Sequence, residues 1–395
     1  PTQYTEKSGL RCCLSWYFKQ NGKISGLKSA DFFILLLTNF FINAKLVMQA
    51  KIHIVSGGDF TAYSISKIAN ELGISKTTVS LVLNGKTEQA RISAEVEKTV
   101  KDFCKKVNYV PNIHAQRINS HLAKTVGFLV NQGVRIGNDN PFHDQNISAI
   151  MGGMVLAAEE NGYRISVQLY NGTMDESRVF EWLRNHEIDG LIYYGLDIPD
   201  SWRKTFIKEK RKIVGIGTAP SEHISSVNID NFAASYELCK HIADSGRKRF
   251  MYLSGLDGSF VSDERKRGFL AALGDCGVEI DESNILSAKY SEDMARHIIL
   301  ERKPDVDAVI CANDDMAIGA IKAFRELGKN VPREVCVAGG DNILLGEYIT
   351  PSLTTFDNMQ YELGKRAFGE ILARINGESE KDIVIKGGIV IRESA

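Results

Sequence analysis

The side chains best placed to do chemistry lie close together between residues 75 and 84. Lys76 and Thr77 open a short helical pattern, where the N-terminal residues of a helix can reach base edges in a DNA groove. A lysine there can donate to guanine O6 and N7, and a threonine can bond a base or touch a thymine methyl. Ser75, Thr78, Ser80 and Asn84 carry short donors suited to phosphate oxygens, which fix register rather than sequence. Leu81 faces the same groove one turn later and can read it only by apolar contact.

A second set of polar residues follows apolar runs further along. Asn131 follows TVGFLV, Asp197 follows GLIYYG, Asn313 and Asp314 end DAVICAND, and Asp341 ends CVAGGD. Arg265 sits near the start of a helical segment. Acids, amides and a guanidinium can together donate and accept paired hydrogen bonds to adjacent hydroxyls, which suits a carbohydrate, with a nucleobase as the alternative. An aspartate at a strand end is also a common helix cap, and Asp314 fits that role as well as a ligand contact.

Two sorts of element must position these groups. Residues 64 to 84 read SISKIANELGISKTTVSLVLN. Ile65, Ile68, Ala69 and Leu72 share one helical face, Gly73 breaks the helix, and Ser75 stands as an N-cap before Val79, Val82 and Leu83. Two short helices joined by so tight a turn form a helix-turn-helix, and the spacing predicts helices over 65–72 and 76–83. A third, capped at Ser93, is expected over roughly 93–107, before Pro111 ends regular structure. From Thr125 apolar runs alternate with amphipathic helical segments in two sets, as parallel sheets covered by helices require. Two doubly wound lobes then hold a crevice at the carboxyl ends of their strands.

Composition agrees with this division. Over the whole chain 48 basic residues face 49 acidic ones, a net charge of −1. Residues 61–124 carry ten Lys or Arg against five acids, a local +5 that leaves −6 on the rest. A basic module joined to an acidic body fits a nucleic-acid-binding head on a ligand-binding core. The seven cysteines form no CxxC pair, and the eight histidines show no metal spacing, which speaks against a disulfide framework or zinc site and for a reducing compartment. No cofactor is expected. No GxSxG, GxxxxGK[ST], HExxH or strand-linked GxGxxG occurs, so the sequence gives no reason to expect an enzyme.

With YVPNIHAQRIN at residues 109–119 following the helix-turn-helix, the order of motifs over residues 63–395 resembles the lactose/galactose-repressor family of bacterial transcription regulators. The resemblance implies a fold of an N-terminal helix-turn-helix domain plus a two-lobed, periplasmic-binding-protein-like α/β core. It implies a DNA-binding regulator, a repressor rather than an activator, acting in the cytoplasm as a homodimer on operator DNA, with a small effector bound between the lobes. Residues 112–119 match the family's hinge helix, with Asn112, Ala115, Gln116 and Ile118 at the minor groove and Ile118 as the wedge. Asn131, Asp197, Arg265, Asn313 and Asp341 fall at positions similar to effector contacts, and Phe142 and Tyr290 at aromatic positions that close over the ligand. Leu81 departs from the best-known members, which carry Arg there, so no known operator carries over. The implied domains are 63–111 for the head, 112–124 for hinge and linker, and 125–395 for the core. Within the core, lobe 1 takes about 125–225 and 351–376, and lobe 2 about 226–350 and 377–395. A periplasmic sugar-binding protein would share the core but has no use for residues 64–119.

Residues 1–62 stand apart as an extension. FFILLLTNFFI at 32–42 is too short to span a bilayer, which takes about 20 residues. A signal peptide or an accessory segment are alternatives, but the favoured reading is upstream sequence before a start at Met48, with little stable structure before about Thr61.

Overall fold

The computed structural model describes residues 63–109, 122–131, 140–170, 176–195 and 198–395. The expectations for residues 1–62, for the hinge residues Asn112, Ala115, Gln116 and Ile118, and for Asp197 lie outside the described residues. Contacts divide the chain into two units, Pro1–Pro111 and Asn112–Ala395.

In the first unit, α1 (Ile65–Leu72), α2 (Lys76–Leu83) and α3 (Ala94–Lys106) close on a small core. Ile68, Ala69, Val79, Val82, Val100 and Cys104 are buried there, each from the apolar stripe of its helix. Serines at 64, 75 and 93 cap the three helices by accepting backbone N–H bonds, so each start is fixed by a side chain. Gly73 turns the chain at φ +64, the left-handed region where a Cβ is strained, although a Cβ there would meet no neighbour. The turn therefore needs glycine for its backbone angle and not for space.

The second unit holds two parallel sheets. In chain order its first elements are β1 (Thr125–Asn131), α4 (Gln145–Glu160), β2 (Arg164–Tyr170), α5 (Glu176–Arg184), β3 (Gly190–Tyr194), α6 (Asp200–Lys208), β4 (Ile213–Ile216) and β5 (Ser225–Ile229). Then come α7 (Asn231–Asp244), β6 (Phe250–Ser254), α8 (Phe260–Asp275), β7 (Ile285–Ser287), α9 (Glu292–Arg302), β8 (Ala308–Cys311), α10 (Asp314–Glu326), β9 (Cys336–Ala338) and α11 (Leu344–Tyr348). The chain ends with β10 (Thr355–Phe356), α12 (Gln360–Ile375), β11 (Ile383–Ile385) and β12 (Ile389–Val390). Lobe 1 has the order β11-β5-β4-β3-β1-β2, lobe 2 the order β7-β6-β8-β9, and β10 pairs antiparallel with β12.

Alternation along the strands builds a core on each face of the six-stranded sheet. Phe128, Val130, Ile192 and Val214 enter one, while Leu129, Leu191, Tyr193 and Ile213 enter the other beside Trp202 and Phe206 of α6.

The sheets place the chain crossings between lobes later than the resemblance implies. β5 and β11 join lobe 1, so the crossings fall near residues 230, 358 and 387 rather than 225, 350 and 376. An apolar run carries no mark of which sheet it joins; parallel pairing of β5 with β4 and with β11 decides it.

Helices α4 and α12 pack backbone against backbone. A Cβ at Gly153 would stand 2.0 Å from the Tyr361 carbonyl oxygen, and one at Gly364 would stand 1.9 Å from that of Ile150. Gly364→Ala should therefore destabilise the core by about 1–3 kcal/mol, the usual size of an overpacking penalty, and lower its urea midpoint. Gly369→Ala on the same helix meets nothing within 4 Å and serves as the control that should not destabilise. Equal midpoints for the two variants would contradict the packing argument.

Candidate functional site

The start of α2 presents Lys76 and Thr77 to solvent. Leu81, one turn on, is half-buried, and Asn84 at the helix end is exposed. The hydroxyls are more committed than the sequence suggests. Ser75 Oγ accepts from Thr78 N at 3.0 Å and shares a hydrogen bond with Thr78 Oγ1 at 2.8 Å. Asn84 Nδ2 donates to Ser80 Oγ at 3.3 Å. These bonds hold the helix ends, and they aim Lys76 and Thr77, with the positive end of the helix dipole, at whatever lies beyond.

In the core, the strand ends of the two lobes open on a cavity of about 230 Å³. Asn131, Arg265, Tyr290, Asn313 and Asp341 line it. Phe142 does not: it is half-buried in a single 3-10 turn, Pro141–His143, and packs against the main hydrophobic core. Asp314 does not line it either. It is fully buried at the start of α10, where Oδ1 accepts from Thr355 Oγ1 at 2.6 Å and Oδ2 from Ile343 N at 2.9 Å. The helix cap is Asn313, whose Oδ1 accepts from Met316 N at 3.1 Å, leaving its amide NH₂ as the group to offer a ligand.

Arg265 is the centre of the cavity floor. Only 3% exposed, it donates from Nε to Asn231 Oδ1 at 2.8 Å, from Nη1 to the Ala312 carbonyl, and from Nη2 to Asp341 Oδ1 at 2.9 Å. Its guanidinium also lies 4.9 Å from the Phe356 ring centroid. Asp341 in turn accepts from Asn358 Nδ2 at 2.9 Å and from Asn146 Nδ2 at 2.8 Å. A carboxylate has about four lone-pair sites, and three are taken. The resemblance implies an effector contact at Asp341; in the structure it lines the cavity and is also the partner of a buried cation.

Tyr290 sits at φ +59, with its ring against Gly255, where a Cβ would come within 2.0 Å. Asn228 lines the cavity with a buried carboxamide oxygen that has no partner, while its Nδ2 donates to the Thr218 carbonyl at 2.9 Å.

Sequence reasoning missed Asp144, Asn146, Asn228 and Asn358. Asn146 could have been found: it falls on the buried stripe of α4 with Ile150, Met154 and Ala157, a place where a carboxamide needs a partner. Among the described residues no group of three His, Cys, Asp or Glu could hold a metal, and no helix is long and apolar enough to cross a membrane.

Comparison with known proteins finds matches for both parts of the chain. Bacterial regulatory proteins of the lacI family match residues 64–112, and a periplasmic binding protein-like domain matches residues 239–395. The HTH-type transcriptional repressor PurR of Mannheimia succiniciproducens is 30% identical over 347 residues, covering 84% of this chain and 98% of that protein. The HTH-type transcriptional regulator CelR of Thermobifida fusca is 26% identical over 339 residues, with the same coverage of each. A solved CelR–cellobiose complex superposes with a TM-score of 0.64 at 25% identity, covering 84% of this chain and 100% of that one. The lac repressor dimer bound to operator and the anti-inducer ONPF gives a TM-score of 0.72 at 19% identity over 85% and 99%, a likeness of fold. The chain belongs to the LacI family of bacterial transcriptional regulators. It is a DNA-binding regulator with an effector-binding domain, neither an enzyme nor a periplasmic protein.

The two buried acids predict a pH dependence. Burial pushes the Asp341 carboxyl up to about 6, against the pull of Arg265. Burial, reinforced by the charge of Asp341, pushes Asp314 up to about 7. Both hold their protons to higher pH in the folded chain than in the unfolded one, where the ordinary value is 3.8. Their contribution to stability is complete below about pH 4 and is lost as pH rises through about 6 to 7. Calorimetry near pH 5.5 should accordingly detect proton release on unfolding. Asp314→Asn should reduce that release and flatten the fall in melting temperature from about pH 5 to pH 7; an unchanged slope would contradict the assignment.

Proposed function

We propose that the protein is a cytoplasmic repressor that binds a pseudo-palindromic operator as a homodimer, under the control of a small, uncharged, hydroxyl-rich effector, a carbohydrate. One observation carries the effector class. Among the described residues lining the cavity, the acids are Asp144, Asp257 and Asp341 and the sole cation is Arg265, each of whose nitrogens is already bonded within the protein. A phosphate or carboxylate would meet net negative charge, and the one guanidinium is already paired with Asp341, so its desolvation would be offset by no unshared cation.

The carboxamides of Asn131, Asn228, Asn313 and Asn358 give the cavity the mixed donors and acceptors that hydroxyls use in pairs. The cellobiose bound to CelR supports a sugar. A nucleobase would need a flat aromatic slot, and the aromatic lining here is Tyr194 and Tyr290.

For the head, we assign direct base contact to Lys76 and Thr77, apolar groove contact to Leu81, and backbone positioning to Ser75, Thr78, Ser80 and Asn84. A single helix-turn-helix reads a half-site, so a dimer and a two-fold operator follow from its geometry. We place 63–111 as the head and 112–124 as the hinge between head and core, with Ile118 as the minor-groove wedge.

Selection of bound duplexes from a random pool tests this reading. The wild-type chain should recover a two-fold motif, and Thr77→Ala should change the preferred base at one position in each half-site, with each lost base contact costing about 1–3 kcal/mol. Added cellobiose or another neutral sugar should alter the affinity for the recovered duplex, and glucose 6-phosphate should not. Uniform weakening on all duplexes by Thr77→Ala would remove the base-contact assignment, and a response to the phosphate ester would remove the effector class.

A further inference from the structure

The segment that carries Asp341 is bent against its preference and tied to the other lobe. Asp341 has φ +123 and Asn342 φ +54, two consecutive residues with side chains in a region that favours glycine. Such strain persists only where surrounding bonds over-determine it. Within lobe 2, Asp341 N donates to the Phe356 carbonyl at 2.9 Å, and Arg392 Nη2 donates to Asn342 Oδ1 at 2.9 Å.

Arg265 and Asn358 bond the Asp341 carboxylate, Asn342 N donates to Thr355 Oγ1 at 3.3 Å, and Ile343 N donates to Asp314 Oδ2 at 2.9 Å. Further ties come from lobe 1. Asn146 of α4 donates from Nδ2 to Asp341 Oδ2 at 2.8 Å. Gln360, the first residue of α12, donates from Nε2 to the Asp341 carbonyl and, at 2.6 Å, to Asn146 Oδ1. Gln145 Oε1 accepts from Leu344 N at 3.1 Å. Asn146 is itself held, because its backbone N–H donates to Asp144 Oδ1 at 2.8 Å at the start of α4. Three side chains of lobe 1 thus close on Asp341 and Leu344, the two ends of a four-residue stretch of lobe 2, at one rim of the cavity. All the partners are the chain's own groups, so these bonds ask nothing of a ligand.

We propose that Asn146, Gln360 and Gln145 form a built-in latch that holds the lobes together at Asp341, and that this latch sets the operator affinity of the protein before any effector is added. The second clause rests on the reading of the chain as an effector-controlled regulator; the first does not. Asn146 and Gln360 are positioning residues: they fix the carboxylate and the strained backbone at 341–342. A hydrogen bond to a charged group is among the stronger ones in a protein, and losing it should loosen the segment locally without unfolding the core.

The test uses the full chain, freed of small molecules by dialysis, as wild type, Asn146→Ala and Gln360→Ala. Hydrogen exchange is followed by mass spectrometry, and affinity is measured for the duplex recovered from the random pool. Peptides covering 341–346 should exchange about tenfold faster or more in Asn146→Ala, the size expected for one lost charged hydrogen bond, and at least about threefold faster in Gln360→Ala, which loses neutral bonds, while β1 and β8 keep wild-type protection. Operator affinity should shift at least about threefold in both variants, in the same direction. Unchanged exchange at 341–346 in both variants would overturn the latch. Faster exchange with wild-type operator affinity would overturn its regulatory role. Failure of the wild type to select any duplex would overturn the regulator reading and with it the regulatory clause, leaving the exchange data to judge the latch. If Asn146→Ala does not fold, Gln360→Ala alone decides both points.

Discussion

A buried ion pair, Arg265 with Asp341, organises the core. Taking both charges out of water costs several kcal/mol per ion, and their attraction offsets that only when the remaining donors and lone pairs are also satisfied. Here they are. The guanidinium reaches the Ala312 carbonyl at the end of β8, Asn231 at the first residue after the crossing from lobe 1, and the face of Phe356. The carboxylate reaches Asn358 at the second crossing and Asn146 on the far lobe. One pair of charges therefore gathers two strand ends, two of the three crossings and a helix start of lobe 1.

That arrangement explains how a site for a small neutral molecule can control a larger response. The polar groups a ligand would engage are the groups that fix how the lobes meet, so a ligand that rearranges them changes inter-lobe geometry directly. Regulation needs only a difference in ligand affinity between two such geometries. The strained backbone at Asp341 and Asn342 lies where that difference would be largest, held by bonds from both sides.

Much of the architecture was legible in the sequence because it follows local rules. The helices of the head run over 65–72 and 76–83 as their apolar spacing and serine caps require, and the strands that begin at Thr125 and Gly190 start where their apolar runs start. The cavity was legible in part: of the six described side chains assigned to it, five line it, since a parallel strand delivers its last residues to the crevice. What was lost is non-local. Nothing near Ser225 says that β5 pairs with β4, and nothing near Phe142 says that it packs against the core. The bonds that hold Asp341 are not legible near it, because two of its donors, Asn146 and Arg265, lie 195 and 76 residues away.

The claim that the Arg265–Asp341 pair governs the core is tested most directly by a double-mutant cycle in urea, with Arg265→Met, Asp341→Leu and the two combined. Removing one partner leaves a buried charge alone, so each single change should cost about 3–5 kcal/mol, and the double change should cost clearly less than their sum because no orphaned charge remains. Additive costs would contradict the account, since they would mean that the two charges stabilise the core independently and that their pairing organises nothing.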